Sequence, residues 1–150
     1  MQHAFKTIEM QPQTVLSIRF RTPIDQLSIV LDRFYRAIFR YINELGEQPA
    51  GPPFVAYYNM DMQNLDIEAG YPVAKALPVK GDIQVSALPA GKAASGMHTG
   101  PYDQLTPTYN AMLAWMQEQG LETASTVYEF YLNDPSQTMP EDLKTQILYP

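Results

Sequence analysis

Two hydrophobic periods take turns along this chain. Over 14–21, Leu16, Ile18 and Phe20 alternate with Val15, Ser17, Arg19 and Arg21, the spacing of a strand with one buried face. A first strand over 5–10 precedes it, set off by the turn Gln11-Pro12-Gln13. The period then lengthens: Leu27, Val30, Leu31, Phe34, Ile38, Tyr41, Ile42 and Leu45 form the stripe of a helix over 23–45, opened by Thr22-Pro23 and closed by Gly46. Strands over 53–60 and 65–75 follow, joined by a polar turn at 61–64, and 76–79 is a connector.

The same order then returns. Strands are expected over 82–88 and 92–99, and a helix over 103–119 whose stripe holds Leu105, Tyr109, Met112, Leu113 and Met116, with Trp115 at its border. Pro107 allows two starts, one at Asp103 with Pro tolerated in the first turn, the other with Thr106 as cap. A strand over 127–132 runs into Asn133-Asp134-Pro135, 137–142 reads as a loop, and 144–149 closes the chain as a strand.

The repetition leaves a trace in the residues. Pro23-Ile24-Asp25-Gln26-Leu27 matches Pro101-Tyr102-Asp103-Gln104-Leu105 at an offset of 78 positions, and Ser17/Ser95 and Tyr71-Pro72/Tyr149-Pro150 keep that offset. Tyr57-Tyr58-Asn59 matches Tyr131-Leu132-Asn133 at 74, a difference of about one helical turn that a shorter second helix accounts for. A duplicated half-domain is expected, with halves of about 1–75 and 82–150 in one domain spanning 1–150. Its two helices should lie on one side of the sheet. The cleft between similar halves is a natural ligand site.

Glu129 stands out in this frame. Strand alternation puts it on one face with Val127 and Tyr131, while Tyr128, Phe130 and Leu132 share the other, so both faces are otherwise apolar. Such a carboxylate is paired with a buried cation, protonated, or waiting for a ligand; the alternative is an edge strand with Glu129 in water. The repeat puts Val55 and Tyr57 where the second half has Glu129 and Tyr131. A pocket at the junction would be lined by aromatic groups from both halves, with a carboxylate from one only. This favours the pocket.

Composition narrows the classes. A chain of 150 residues, 45% hydrophobic and 17% charged, is expected to fold rather than stay disordered. A net charge of −6 argues against direct contact with nucleic acid or an anionic membrane. There is no Cys, no apolar signal core and no membrane-span run, so a cytoplasmic protein is expected. No metal-ligand spacing, nucleophile elbow, phosphate loop or dinucleotide fingerprint occurs, and neither a metal nor a cofactor is expected. Tyr102 and Trp115 could be core or pocket lining. Glu68 could face inward or water, and Arg19 and Arg21 could neutralise a carboxylate or form a solvated face. The ten Tyr and eight Met are adaptable contact groups.

Four stretches carry a resemblance: Gly51-Pro52-Pro53-Phe54 with Tyr57, Glu68-Ala69-Gly70-Tyr71-Pro72-Val73, His98-Thr99-Gly100-Pro101-Tyr102, and Tyr128-Glu129-Phe130-Tyr131-Leu132-Asn133-Asp134-Pro135. In this order they resemble the GyrI-like small-molecule-binding family, the effector-binding domain of AraC-type and MerR-type regulators. The resemblance implies an α+β fold of two strand-helix-strand-strand modules, an antiparallel sheet with two helices on one side and a central cleft. It further implies amphipathic, often cationic and aromatic ligands, with Glu129 at the position that contacts the cation. Phe54, Val55, Tyr57, Tyr71, Tyr102, Trp115 and Tyr131 are the candidates to line the pocket. Two other roles follow from the family. One is hydrolysis of reactive electrophiles with Glu129 and a tyrosine, here Tyr102; the other is interaction with a protein such as a regulator or gyrase. The regulators carry a DNA-binding region ahead of this domain, whereas here the domain begins close to Met1, so a stand-alone form is expected.

Overall fold

The computed structural model describes residues 4–122, 126–134 and 137–150. Along them run β1 (Ala4–Met10), β2 (Gln13–Thr22), α1 (Leu27–Glu44), β3 (Phe54–Tyr57), β4 (Leu65–Pro72), β5 (Gln84–Leu88), β6 (Gly91–Thr99), α2 (Leu105–Glu118), β7 (Val127–Tyr131) and β8 (Lys144–Tyr149). The fold is α+β. Eight strands form one antiparallel sheet in the order β1-β6-β8-β7-β3-β4-β2-β5.

Connectivity forces this sheet to curl. β1 and β5 are its two edges, yet links of two residues tie Met10 to Gln13 and Leu88 to Gly91. Met10 pairs with Gly91 and Gln13 with Leu88, so all four strand ends meet and draw the edges together. The helix-free face inside the curl packs Val15, Phe54, Ala56, Tyr128, Phe130 and Leu148, with Ile8, Met10 and Leu88 brought in from the edges.

Both helices cover the other face. Leu31 of α1 packs with Val55, Leu65, Ile67 and Ala69, and Ile38, Tyr41 and Ile42 with Leu16 and Ile18. Met112 and Met116 of α2 pack with Ala94, Val127 and Ile147. Gly96 lets α2 come close, since a Cβ there would lie 2.8 Å from Met112 Sδ and 3.0 Å from the Phe5 ring.

The duplication is written in the strand register. Val55 faces Ala69 as Glu129 faces Ile147, and Leu16 faces Tyr71 as Ala94 faces Tyr149. At the junction of the halves, Phe54 faces Phe130, Val55 faces Glu129 and Ala56 faces Tyr128. The offset of 74 exchanges the outer two pairs and returns Val55/Glu129 to itself. The local twofold therefore passes between Val55 and Glu129. The outermost strands are exchanged: β1 pairs with the second half's β6 and β5 with the first half's β2.

Several boundaries differ from expectation for local reasons. A 3-10 turn, Ile24–Gln26 and Tyr102–Gln104, precedes each helix, and neither helix has a side-chain N-cap. Pro107 is the third residue of α2, where its missing N–H would have had no intrahelical partner. β3 stops at Tyr57 because the Asn59 side chain takes over: its Oδ1 accepts the Asp66 N–H at 2.9 Å and its Nδ2 donates to the Asn64 carbonyl at 3.1 Å. A 3-10 turn, Pro140–Asp142, lies in the stretch expected to be loop, and the expected Asn-Asp-Pro stop lies partly outside the described residues. Phe20, expected to be buried, is 46% exposed and edge-on to Phe34 at 5.3 Å. Among the described residues no helix is long and apolar enough to cross a membrane.

Gly70 supplies a stability test. A Cβ there would overlap the Leu16 carbonyl oxygen of the neighbouring strand and lie 2.8 Å from Ser17 Cα, backbone that no rotamer change can move. Gly70→Ala is expected to cost about 3 kcal/mol, the upper end of overpacking, as read by urea unfolding. A loss below about 0.5 kcal/mol, the range of neutral surface changes, would show that the strands separate freely here.

Candidate ligand-binding site

β7 is central in the sheet, and its alternation points Val127, Glu129 and Tyr131 at the helix face. Glu129 is 5% exposed, between the two helices. The Tyr109 hydroxyl, from α2, donates to its Oε2, and the Tyr131 hydroxyl donates to its Oε1 at 2.8 Å. The Tyr57 hydroxyl hydrogen-bonds in turn with Tyr131. Among the described residues no Lys or Arg forms an ion pair with Glu129.

Rings close over this centre. Tyr102 stacks at a tilt on Tyr131 at 5.4 Å, Tyr35 of α1 meets Tyr131 edge-on at 6.4 Å, and Tyr149 meets Tyr109 at 6.4 Å. Tyr35 also anchors itself by donating to the Phe54 carbonyl at 2.8 Å, and packs on Tyr71 at 5.8 Å. The cage is thus built from both halves.

Burial pushes the Glu129 carboxyl above the usual carboxylate range; hydrogen bonds from Tyr109 and Tyr131, and the nearby His98, pull it back only in part. Burial, reinforced by the Glu129 charge, raises the phenols of Tyr57, Tyr109 and Tyr131 far above their ordinary value, so they stay neutral donors. His98 is buried beside this network with both nitrogens engaged. Nε2 donates to the Pro101 carbonyl at 3.0 Å, and Nδ1 lies 2.6 Å from Thr108 Oγ1.

Of the residues expected from sequence, Glu129, Tyr131, Tyr57, Val55 and Tyr102 come together here, and Tyr71 joins through Tyr35. Two do not. Phe54 is fully buried on the opposite face against Phe130, because it neighbours Val55 on a strand and must point the other way. Trp115 is carried along α2 toward the edge strand, where it packs on Phe5 at 5.9 Å. The tyrosines on the carboxyl are Tyr109 and Tyr131, whereas Tyr102 contributes its ring.

Tyr35 and Tyr109 escaped the sequence reading, Tyr109 because it sits within the apolar stripe of its helix. The repeat held a signal for it. At the offset of 78 its counterpart is Leu31, which packs against Val55, so an apolar pair in one half becomes a phenol–carboxylate pair in the other.

Glu68 belongs to the helix-free face. Its Oε2 accepts from Ser17 Oγ at 2.5 Å and its Oε1 accepts from the Tyr58 hydroxyl. Arg19 makes a two-point pair with Asp66 at 2.9 and 2.8 Å and stacks over Tyr58 at 4.1 Å, and Arg21 reaches Asp66 at 3.6 Å. These groups satisfy one another.

The sequence profile of the GyrI-like small molecule binding domain matches residues 3–150. This chain belongs to that family. No curated protein sequence matches it. Its fold is shared with the crystal structure of the EcmrR C-terminal domain, at 22% identity and a TM-score of 0.81, covering 100% of this chain and 98% of that one. It is also shared with EcmrR in an EcmrR–DNA complex, at 23% identity and a TM-score of 0.79, with 99% of this chain covered. Only 57% of that EcmrR chain is covered, so the present chain spans a little over half its length. A hydrolase from Listeria innocua matches at 16% identity and a TM-score of 0.69, over 97% of this chain and 90% of that one. SAV2435 bound to tetraphenylphosphonium matches at 11% identity and a TM-score of 0.64, over 98% and 93%.

Proposed function

We propose that this protein binds amphipathic organic cations with aromatic or other flat apolar parts, seated between α1 and α2 against Glu129. The observation that carries this reading is a buried carboxylate held by two neutral phenols inside a cage of tyrosine rings, with no Lys or Arg paired to it among the described residues. A cation supplies the missing charge, and the ring faces attract it further. The tetraphenylphosphonium bound by SAV2435 is of this chemical kind. Glu129 is 5% exposed and the Tyr102 and Tyr35 rings pack on Tyr131 beside it, so ligand access requires these rings to move.

A pH dependence follows. Cation affinity should rise with pH through the elevated pKa of Glu129 and level off above it, since only the ionised carboxyl attracts the ligand. Calorimetric titration with tetraphenylphosphonium across pH 4 to 8 tests this. Flat affinity over that range, or no binding at all, would sink the proposal.

A carboxyl with a raised pKa touching two phenols is also an acid–base arrangement, which favours hydrolysis as the second reading. Incubation with an epoxide or activated cyclopropyl compound separates the two. Product formation abolished by Glu129→Gln would replace binding by turnover.

A further inference from the structure

The local twofold sorts the site into an apolar half and a polar half. At five positions the second half carries a polar side chain where the first carries an apolar one: Glu129 for Val55, Tyr109 for Leu31, His98 for Phe20, Thr108 for Val30 and Thr145 for Ile67. Four of these pair off, Tyr109 with Glu129 and Thr108 with His98. Thr145 is left. It is 0% exposed, and among the described residues its Oγ1 has no hydrogen-bond partner.

Its register neighbours do not supply one. In register, Thr145 lies between Tyr131 on β7 and His98 on β6. The Tyr131 hydroxyl is committed to Glu129, and both His98 nitrogens are engaged. Valine has the same shape and suits a central strand at least as well, so packing gives no reason for the hydroxyl. A buried hydroxyl without a partner opposes folding.

We propose that the Thr145 hydroxyl is a second recognition point of the Glu129 pocket, taking a hydrogen bond with an oxygen of the bound ligand. The inference rests on the cation-binding reading above and narrows it. Glu129 faces Ile147 and Thr145 lies two residues back on the same strand, a diagonal of roughly 7–8 Å. The ligand is therefore a cation carrying a hydroxyl or carbonyl oxygen a short reach from its charge, on the scale of one aromatic ring. The apolar first half, with Val55, Leu31 and Ile67, receives its hydrocarbon side.

The test uses Thr145→Val with benzyltrimethylammonium and its 3- and 4-hydroxybenzyl analogues. Wild-type protein should bind the better hydroxylated cation about five- to tenfold more tightly than the plain one, the worth of one neutral hydrogen bond. Thr145→Val should erase that preference while leaving affinity for the plain cation unchanged. In the empty protein the variant should melt about 2–4 °C higher, since it loses an unpartnered hydroxyl. A preference that survives in the variant, an equal loss for both cations, or a lower melting point in the empty variant would overturn the inference alone. Failure of wild-type protein to bind any of these cations would overturn the cation reading, and this inference with it.

Discussion

Glu129→Gln should lower affinity for an organic cation roughly 5- to 150-fold, the range for a charge-assisted hydrogen bond of about 1–3 kcal/mol. Glutamine keeps the shape and still accepts one phenol hydrogen bond, so what it removes is the charge. The neutral isostere of benzyltrimethylammonium, neopentylbenzene, should lose little. Stability should move the other way. The folded-state pKa of Glu129 is raised, so the native state holds its proton to higher pH than the unfolded chain does. Stability therefore falls as pH climbs from the unfolded-state pKa to the folded one, and stays at the lower value above it. In Glu129→Gln that decline is absent, so at neutral pH the variant is as stable as wild type or more so. Equal affinity losses for the charged and neutral ligands, or a marked destabilisation at neutral pH, would make Glu129 a structural residue.

Much of this was legible in the chain because its halves repeat. The offsets of 78 and 74 put Val55 opposite the role of Glu129, and the strand register places these two residues beside the twofold itself. β8 was fully readable, as its bounds of Lys144–Tyr149 match the expected span. Less legible was anything set by long-range pairing. The exchange of β1 and β5 depends on which strands meet across the sheet, and the same local pattern serves a simple hairpin equally well. Phe54 lies away from the Glu129 cluster because a motif marks a stretch of chain, whereas a strand divides its neighbours between two faces. Tyr109 was hidden by its own chemistry: a tyrosine ring fills an apolar stripe as a leucine does, and its hydroxyl becomes informative only once a buried acceptor is opposite.

The first half carries an apolar pair where the second carries Tyr109 and Glu129, and that makes a symmetrised variant the sharpest probe. Glu129→Val with Tyr109→Leu gives the second half the Val55/Leu31 pair of the first. Each single change should be harmful in its own way. Tyr109→Leu strips a donor from a buried carboxylate, which should destabilise the protein by about 1–3 kcal/mol at neutral pH and drive the Glu129 pKa higher still. Glu129→Val takes the acceptor from two buried phenols, Tyr109 and Tyr131. Made together, the two changes remove both ends of the interaction, so their effects should not add. A double-mutant cycle should give a favourable coupling of at least about 1 kcal/mol. Replacing both ends of a buried hydrogen bond with apolar groups is nearly neutral or stabilising, and the Tyr131 hydroxyl keeps Tyr57 as a partner, so the double variant should stay within about 1 kcal/mol of wild-type stability even if the smaller Leu leaves some unfilled space. Tetraphenylphosphonium binding should be lost in the same protein. Chemical unfolding of the four proteins, with calorimetry on wild type and the double variant, reads both outcomes. Strictly additive losses would mean that Tyr109 and Glu129 do not act as a pair. Retained cation binding in a stable double variant would mean that the carboxylate is not what recognises the charge.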